Sequence, residues 1–179
     1  MKALIVVDMQ AGSFTAETPR IDSDQVVRRI NALSDLYRNN TNKVIFVQHD
    51  GTLENCFIPG SPEWQILDTL VIKPEDTFIV KTANDAFYRT DLDTVLKANG
   101  IDEITITGCA TDFCVEATIQ SALVKDYKIT IIKDAHTTAD RPFMSAESVI
   151  EHYNWVWENM TPVNGKIEVV GFKDYILKV

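Results

Sequence analysis

Three side chains able to share one reaction stand where apolar runs of the sequence give out. Asp8 closes the run Lys2-Ala3-Leu4-Ile5-Val6-Val7, and Lys81 closes Thr77-Phe78-Ile79-Val80. Cys114 follows the run Glu103-Ile104-Thr105-Ile106-Thr107-Gly108 after a short turn. A carboxylate, an ammonium and a thiol are the parts of a nucleophilic hydrolase. A thiol of ordinary pKa, about 8.5, becomes the attacking thiolate when a helix N-terminus or a nearby lysine lowers that value. Asp8 can take the thiol proton and later activate water, which is general-base work. The turn Gly108-Cys109-Ala110-Thr111-Asp112-Phe113-Cys114 can aim backbone N–H groups at charge developing on an attacked carbonyl oxygen, each worth roughly 3–4 kcal/mol. Each residue also has a plainer role. A strand-ending Asp caps turns, a Lys sits in solvent, and a helical Cys packs as a small hydrophobe. Their joint placement carries the functional reading.

For these residues to meet, the runs must be neighbours in one sheet. Residues 2–8 are apolar throughout until the carboxylate, as expected of a strand buried on both faces of a parallel sheet. Val26, Val27, Ile30, Leu33 and Tyr37 recur at helical spacing over residues 23–37, with Asp22 or Ser23 as cap. A second strand follows at 44–47, and the pattern then repeats. Strands are expected at 77–81, 103–108, 128–133 and 167–170, and helices at 91–98, 112–124 and 145–157; Asn99-Gly100 stops the first of these helices. The alternation predicts an α/β fold: a three-layer αβα, doubly wound, six-stranded parallel sheet, in a single domain over residues 1–179. With strand order 3-2-1-4-5-6, strands one and four adjoin where the order reverses, the place where open sheets bind ligands. Asp8 and Cys114 then face each other across the crevice, and Lys81 reaches in from strand three.

One connection departs from the alternation. Residues 50–76 hold Pro59-Gly60-Ser61-Pro62-Glu63-Trp64, where Ser61 can cap a short helix with Pro62 at its first position. So long a connection is either a binding lid or a tolerated surface insertion.

Composition narrows the function classes. The chain has 179 residues, 45% hydrophobic and 24% charged, which suffices for one core and argues against disorder. Its net charge of −9 repels a phosphate backbone, so no nucleic-acid partner is expected. No run approaches the ~20 apolar residues of a membrane span, and residues 3–7 are too short for a secretory signal. Cys56, Cys109 and Cys114 form no Cys-x-x-Cys pair; the odd count suits free thiols in a reducing cytoplasm. Cys109 is expected to pack or turn, and Cys56 has no motif around it.

Val6-Val7-Asp8-Met9-Gln10 resembles the opening motif of the isochorismatase-like cysteine hydrolases. Val80-Lys81-Thr82-Ala83-Asn84-Asp85-Ala86-Phe87 and Thr107-Gly108-Cys109-Ala110-Thr111-Asp112-Phe113-Cys114-Val115-Glu116-Ala117-Thr118 are similar to the family's other two blocks, and Asp134-Ala135 is typical of it. The resemblance spans strand one to about Asn154. It implies a catalytic triad of Asp8, Lys81 and Cys114 and a non-proline cis peptide at Cys109–Ala110. It also implies an oxyanion hole of the Ala110 and Cys114 N–H groups. The implied activity is hydrolysis of a small amide or ureide through an acyl-enzyme, without a cofactor, in a homodimer or homotetramer.

Nicotinamidases of this family carry an Asp-x-His…His metal site after strand two. Here Gln48-His49-Asp50 stands there, with no further His before His136, so no metal site is expected. His49 is either a substrate hydrogen-bond partner or structural, and His136 and His152 are read as structural. Isochorismatases proper commonly lack the nucleophilic cysteine, so Cys114 favours the amide-cleaving branch. The alternatives are vinyl-ether hydrolysis with Asp8 as general acid, and a binding domain that keeps the fold without the chemistry. Phe14, Trp64, Phe87 and Phe113 are expected pocket walls, Trp64 and Phe113 foremost; core packing is the competing role. Tyr153, Trp155 and Trp157 either face another subunit or fill the chain's own core.

Overall fold

The computed structural model describes residues 1–162 and 164–178. Six strands pair in parallel in the order β3-β2-β1-β4-β5-β6: β1 (Lys2–Val7), β2 (Lys43–His49), β3 (Thr77–Lys81), β4 (Glu103–Cys109), β5 (Lys128–Thr137) and β6 (Ile167–Val170). The helices are α1 (Ser23–Asn39), α2 (Leu92–Ala98), α3 (Glu116–Leu123), α4 (Ala146–Glu158) and α5 (Phe172–Lys178). The order reverses between β1 and β4, as the doubly wound reading requires.

Side-chain alternation along each strand sorts the core into two layers. Ala3, Ile5 and Val7 join Ile45, Val47, Ile104 and Ile106 against α2, α3 and α4. Leu4 and Val6 join Val44 and Phe46 against α1 and α5. Lys81 follows Ile79 on the first of these faces by the same period of two, which directs it to the side where Cys114 packs.

Gly108 permits the closest approach at the switch point. Its φ is +118°, and a Cβ there would lie 2.1 Å from the Val7 carbonyl oxygen, so a side chain is excluded on two counts. Across the same row Val7 pairs with Val47 and Gly108. The next residue, Asp8, turns at φ +46° while its N–H donates to the Val47 carbonyl at 2.9 Å. The first catalytic candidate is thus fixed by backbone from both sides.

Several expectations need adjusting. Strand β5 runs on to Thr137, four residues past Lys133, and its register with β4 shifts between Ile106 and Gly108. The helix expected at 112–124 begins as a π-helical turn over Thr111–Val115 before α3. Helix α5 carries too few residues for a readable period; it is held by Tyr175, whose hydroxyl lies 2.6 Å from that of Tyr37. Ser61 and Pro62 open a single turn, Trp64 N–H reaching the Ser61 carbonyl at 3.2 Å, and no helix follows. Residues 63–67 instead run antiparallel to the segment after β1, with bonds from Ala11 to Gln65 and from Leu67 to Met9 and a bridge between Gln10 and Ile66. The long connection therefore buttresses the end of β1. In α4, capped by the Ser145 hydroxyl, Trp157 is fully buried and Tyr153 packs on the same core, so these two fill the chain's own interior while Trp155 points outward. No helix among the described residues is long and apolar enough to cross a membrane.

Candidate active site

Asp8, Lys81 and Cys114 meet beyond the carboxyl ends of the strands. Lys81 stands on β3, two strands from β1, and strands lie about 4.8 Å apart, so only a long side chain spans the gap. Its Nζ lies 2.6 Å from Asp8 Oδ2 and donates to Cys114 Sγ at 3.3 Å and to the Ala83 carbonyl at 2.9 Å. The lysine is 1% exposed, which excludes the solvated role. The Cys114 thiol donates to Asn84 Oδ1 at 3.6 Å. Asp8 Oδ1 is buried with no hydrogen-bond partner, leaving one carboxylate oxygen uncommitted.

Burial sets the electrostatics. Desolvation raises the Asp8 carboxyl above the ordinary carboxylate value, with the Lys81 charge pulling the other way. It also pushes the Cys114 thiol far up, helped by the Asp8 charge and opposed by Lys81. This corrects the expectation of a thiol lowered by Lys81 and a helix start. Both acids resist ionising, and the two titrate as a coupled pair. Moving a proton from sulfur to carboxylate leaves the site's net charge unchanged. Cys109 is buried and pushed up to about 12, the behaviour of a packing thiol.

Asp8 and Cys114, with Lys81 behind them, open onto a cavity of about 220 Å³, smaller than the roughly 300–1,000 Å³ of drug-sized sites. Asp8 and Cys114 line it together with Cys109 and Ala110, whose connecting peptide is cis. His49 and Phe113 form part of its wall. Burial and the Lys81 charge lower the His49 pKa, and its Nδ1 is buried without a partner. Phe113 is held by the guanidinium of Arg141, 4.9 Å from its ring centre, and Arg141 makes two bonds to Asp112 at 2.6 and 2.9 Å.

Phe14, Trp64 and Phe87 do not line this cavity. Phe87 faces the core and stacks on Tyr127 at 5.7 Å, on the far side of its own backbone turn. Phe14 packs against the α1 layer. Trp64 contributes its carbonyl, which accepts from Gln10 and Gln48 side chains and braces the end of β1. The wall is completed by Gln10, Ser13, Arg20, Phe57, Asn84 and Arg141. Asn84 and Arg141 follow the ends of β3 and β5 by three and four residues; Phe57 is the contribution of the long connection; Ser13 and Arg20 carry no motif signal. Among the described residues, no group of three or more His, Cys, Asp or Glu side chains is arranged to hold a metal ion.

A family model for the isochorismatase domain matches residues 2–166. The chain belongs to the isochorismatase family. Among curated relatives, a streptothricin hydrolase of Streptomyces noursei is 31% identical over 79% of this chain and 56% of its own length. The chain thus spans about half the length of that relative. The ureidoacrylate amidohydrolase RutB of Caulobacter vibrioides is 26% identical over 86% of both chains. Among solved structures, a cysteine hydrolase from Pseudomonas syringae pv. phaseolicola 1448A is similar at 25% identity and TM-score 0.84, covering 99% of this chain and 91% of the other. The six-stranded parallel sheet in the order 3-2-1-4-5-6 is the isochorismatase-like α/β fold.

Proposed function

We propose that this isochorismatase-family chain is a single-domain, metal-independent cysteine hydrolase that cleaves a C–N bond of a small amide or ureide. The observation that carries the reading is Lys81 Nζ within hydrogen-bond reach of both Asp8 and Cys114, beneath one small cavity. Likeness to an amidohydrolase and to a cysteine hydrolase supports the same class.

In the proposed reaction the Cys114 proton passes to Asp8 as sulfur attacks the carbonyl carbon. The displaced electron pair rests on oxygen, where the N–H groups of Ala110 and Cys114 receive it. Collapse expels the amine, which takes the proton from Asp8, and leaves an acyl thioester. Asp8 then deprotonates water, the hydroxide attacks the thioester, and the departing sulfur recovers the proton. Lys81 holds sulfur and carboxylate in register throughout. No cofactor enters this sequence.

Vinyl-ether hydrolysis is the second reading, favoured by one observation: a buried Asp8 with raised pKa and a free oxygen is suited to give a proton. Cys114→Ala and Asp8→Asn separate the two. Assayed for ammonia release on an amide and ureide panel, with mass spectrometry for an adduct on Cys114, both variants should be inactive. Turnover retained by Cys114→Ala and lost in Asp8→Asn overturns the thioester mechanism. No turnover by the wild type and no adduct on Cys114 leaves a binding domain. Three free cysteines suit the cytoplasm proposed for the protein. Its proposed assembly as a homodimer or homotetramer is read by light scattering on a sizing column.

A further inference from the structure

Two arginines line the cavity and Lys81 lies beneath its floor, and two of these three side chains are neutralised by acids. Lys81, beneath its floor, pairs with Asp8 at 2.6 Å, and Arg141 pairs with Asp112 through two bonds. Arg20 is different. Its Nε donates to the Ser13 carbonyl at 2.7 Å, which fixes the plane of the guanidinium. Among the described residues its two terminal nitrogens have no hydrogen-bond partner, and no carboxylate lies within ion-pair distance. Of the six arginines, Arg29, Arg38 and Arg141 find aspartates; among the described residues Arg28 and Arg89, like Arg20, make no ion pair, but of these three it is Arg20 that lines the cavity. The residue is also partly buried, so water alone compensates it less than it would an exposed side chain. Ser13, whose carbonyl anchors Arg20, lines the same wall.

A guanidinium presents parallel N–H donors matched to the two oxygens of a carboxylate, a geometry an ammonium lacks. We propose that Arg20 is a specificity-determining residue that binds a carboxylate of the substrate. The substrate class is then a small amide or ureide carrying an acidic group a few bonds from the scissile carbonyl. This rests on the proposed thioester chemistry for the position of the scissile bond, and on the Arg20 environment for the charge.

Two thiol reagents of nearly equal size separate the claims: iodoacetate, an anion, and iodoacetamide, its neutral counterpart. Alkylation of Cys114 is followed by peptide mass spectrometry, with glutathione giving the intrinsic ratio of the two rates. The expected iodoacetate-to-iodoacetamide ratio at Cys114 exceeds that of glutathione by about tenfold or more, the range of a charge-assisted bond. Arg20→Gln should bring the ratio back to the glutathione value, and Arg20→Lys should keep part of the excess. A wild-type ratio equal to that of glutathione, or one that Arg20→Gln leaves unchanged, overturns the proposal.

Binding reads the same subsite without alkylation. Calorimetric titration of the Cys114→Ala protein compares N-carbamoylglycine with its primary amide. The acid should bind about tenfold tighter, and Arg20→Gln should remove the difference. Equal affinities, or no binding of the acid, overturn the carboxylate subsite. Ammonia release retained by Cys114→Ala sinks the thioester mechanism instead, so the two ideas fall to different results.

Discussion

Lys81 reaches across β2 to place its ammonium 2.6 Å from the carboxylate of Asp8, the two side chains being all but closed to solvent. Removing one member of such a pair strands the other charge in the interior. Lys81→Met is therefore expected to destabilise the fold by about 3–5 kcal/mol. Asp8→Asn combined with Lys81→Met should recover part of that loss, because no unpaired charge remains. Urea denaturation of the three proteins checks this, and equal stabilities for the single and double variants would show that the pair is not coupled.

The raised Asp8 and Cys114 values fix the shape of a pH profile. The proposed reaction needs Asp8 ionised and Cys114 protonated in the resting site. Activity should therefore rise with pH through a value above the usual carboxylate 3.8 and fall only above the ordinary thiol value of 9.0. The two limbs belong to the coupled pair and not to either residue alone. A kcat/KM profile between pH 4 and 10 checks the prediction. An alkaline limb near neutrality would mean a lowered thiol and would contradict the burial argument.

His136 supplies a stability test. It is 1% exposed, its Nε2–H donates to Asn154 Oδ1 at 3.1 Å, and Nδ1 accepts from the Thr111 hydroxyl at 2.8 Å. Asn154 is oriented by its own donation to the Lys133 carbonyl at 3.0 Å, which fixes the neutral tautomer. Burial lowers the pKa from 6.5 to about 4. The unfolded chain therefore binds a proton across that window while the native state does not, and stability falls as pH drops. The loss amounts to roughly 3 kcal/mol between the two values. Chemical denaturation at pH 7 and pH 4 should show this loss for the wild type and its absence in His136→Gln.

Strand order and the placement of Asp8, Lys81 and Cys114 were readable because they follow from local patterns: apolar runs buried on both faces, and reactive residues at the ends of those runs. Phe87 misled because it lies close in sequence to Lys81, yet the turn after β3 sends its ring back into the core beside Tyr127. Trp64 misled because the segment that carries it pairs with residues after β1, a long-range contact that no period announces. Arg20 and Ser13 were silent for the opposite reason. An arginine in a loop looks solvated until the surrounding carboxylates are seen to be committed elsewhere. The thiol's resting state was misjudged too, since burial is a tertiary property and outweighs the nearby lysine.

Gly108 and Gly100 separate strain from contact at the switch point. Both have positive φ, +118° and +62°, but a Cβ on Gly100 meets nothing within 4 Å while one on Gly108 meets the Val7 carbonyl oxygen at 2.1 Å. Gly100→Ala should cost only the left-handed conformation, about 1–2 kcal/mol. Gly108→Ala must also part β1 from β4, and the loss should reach about 3 kcal/mol or more. The parting acts on the residue before Asp8, so activity should fall further than stability requires, even at temperatures where the variant is folded. Thermal unfolding and kcat measured side by side check both statements. Equal stability losses for the two variants would show that the sheet yields at Val7 and that the close approach does not position the carboxylate.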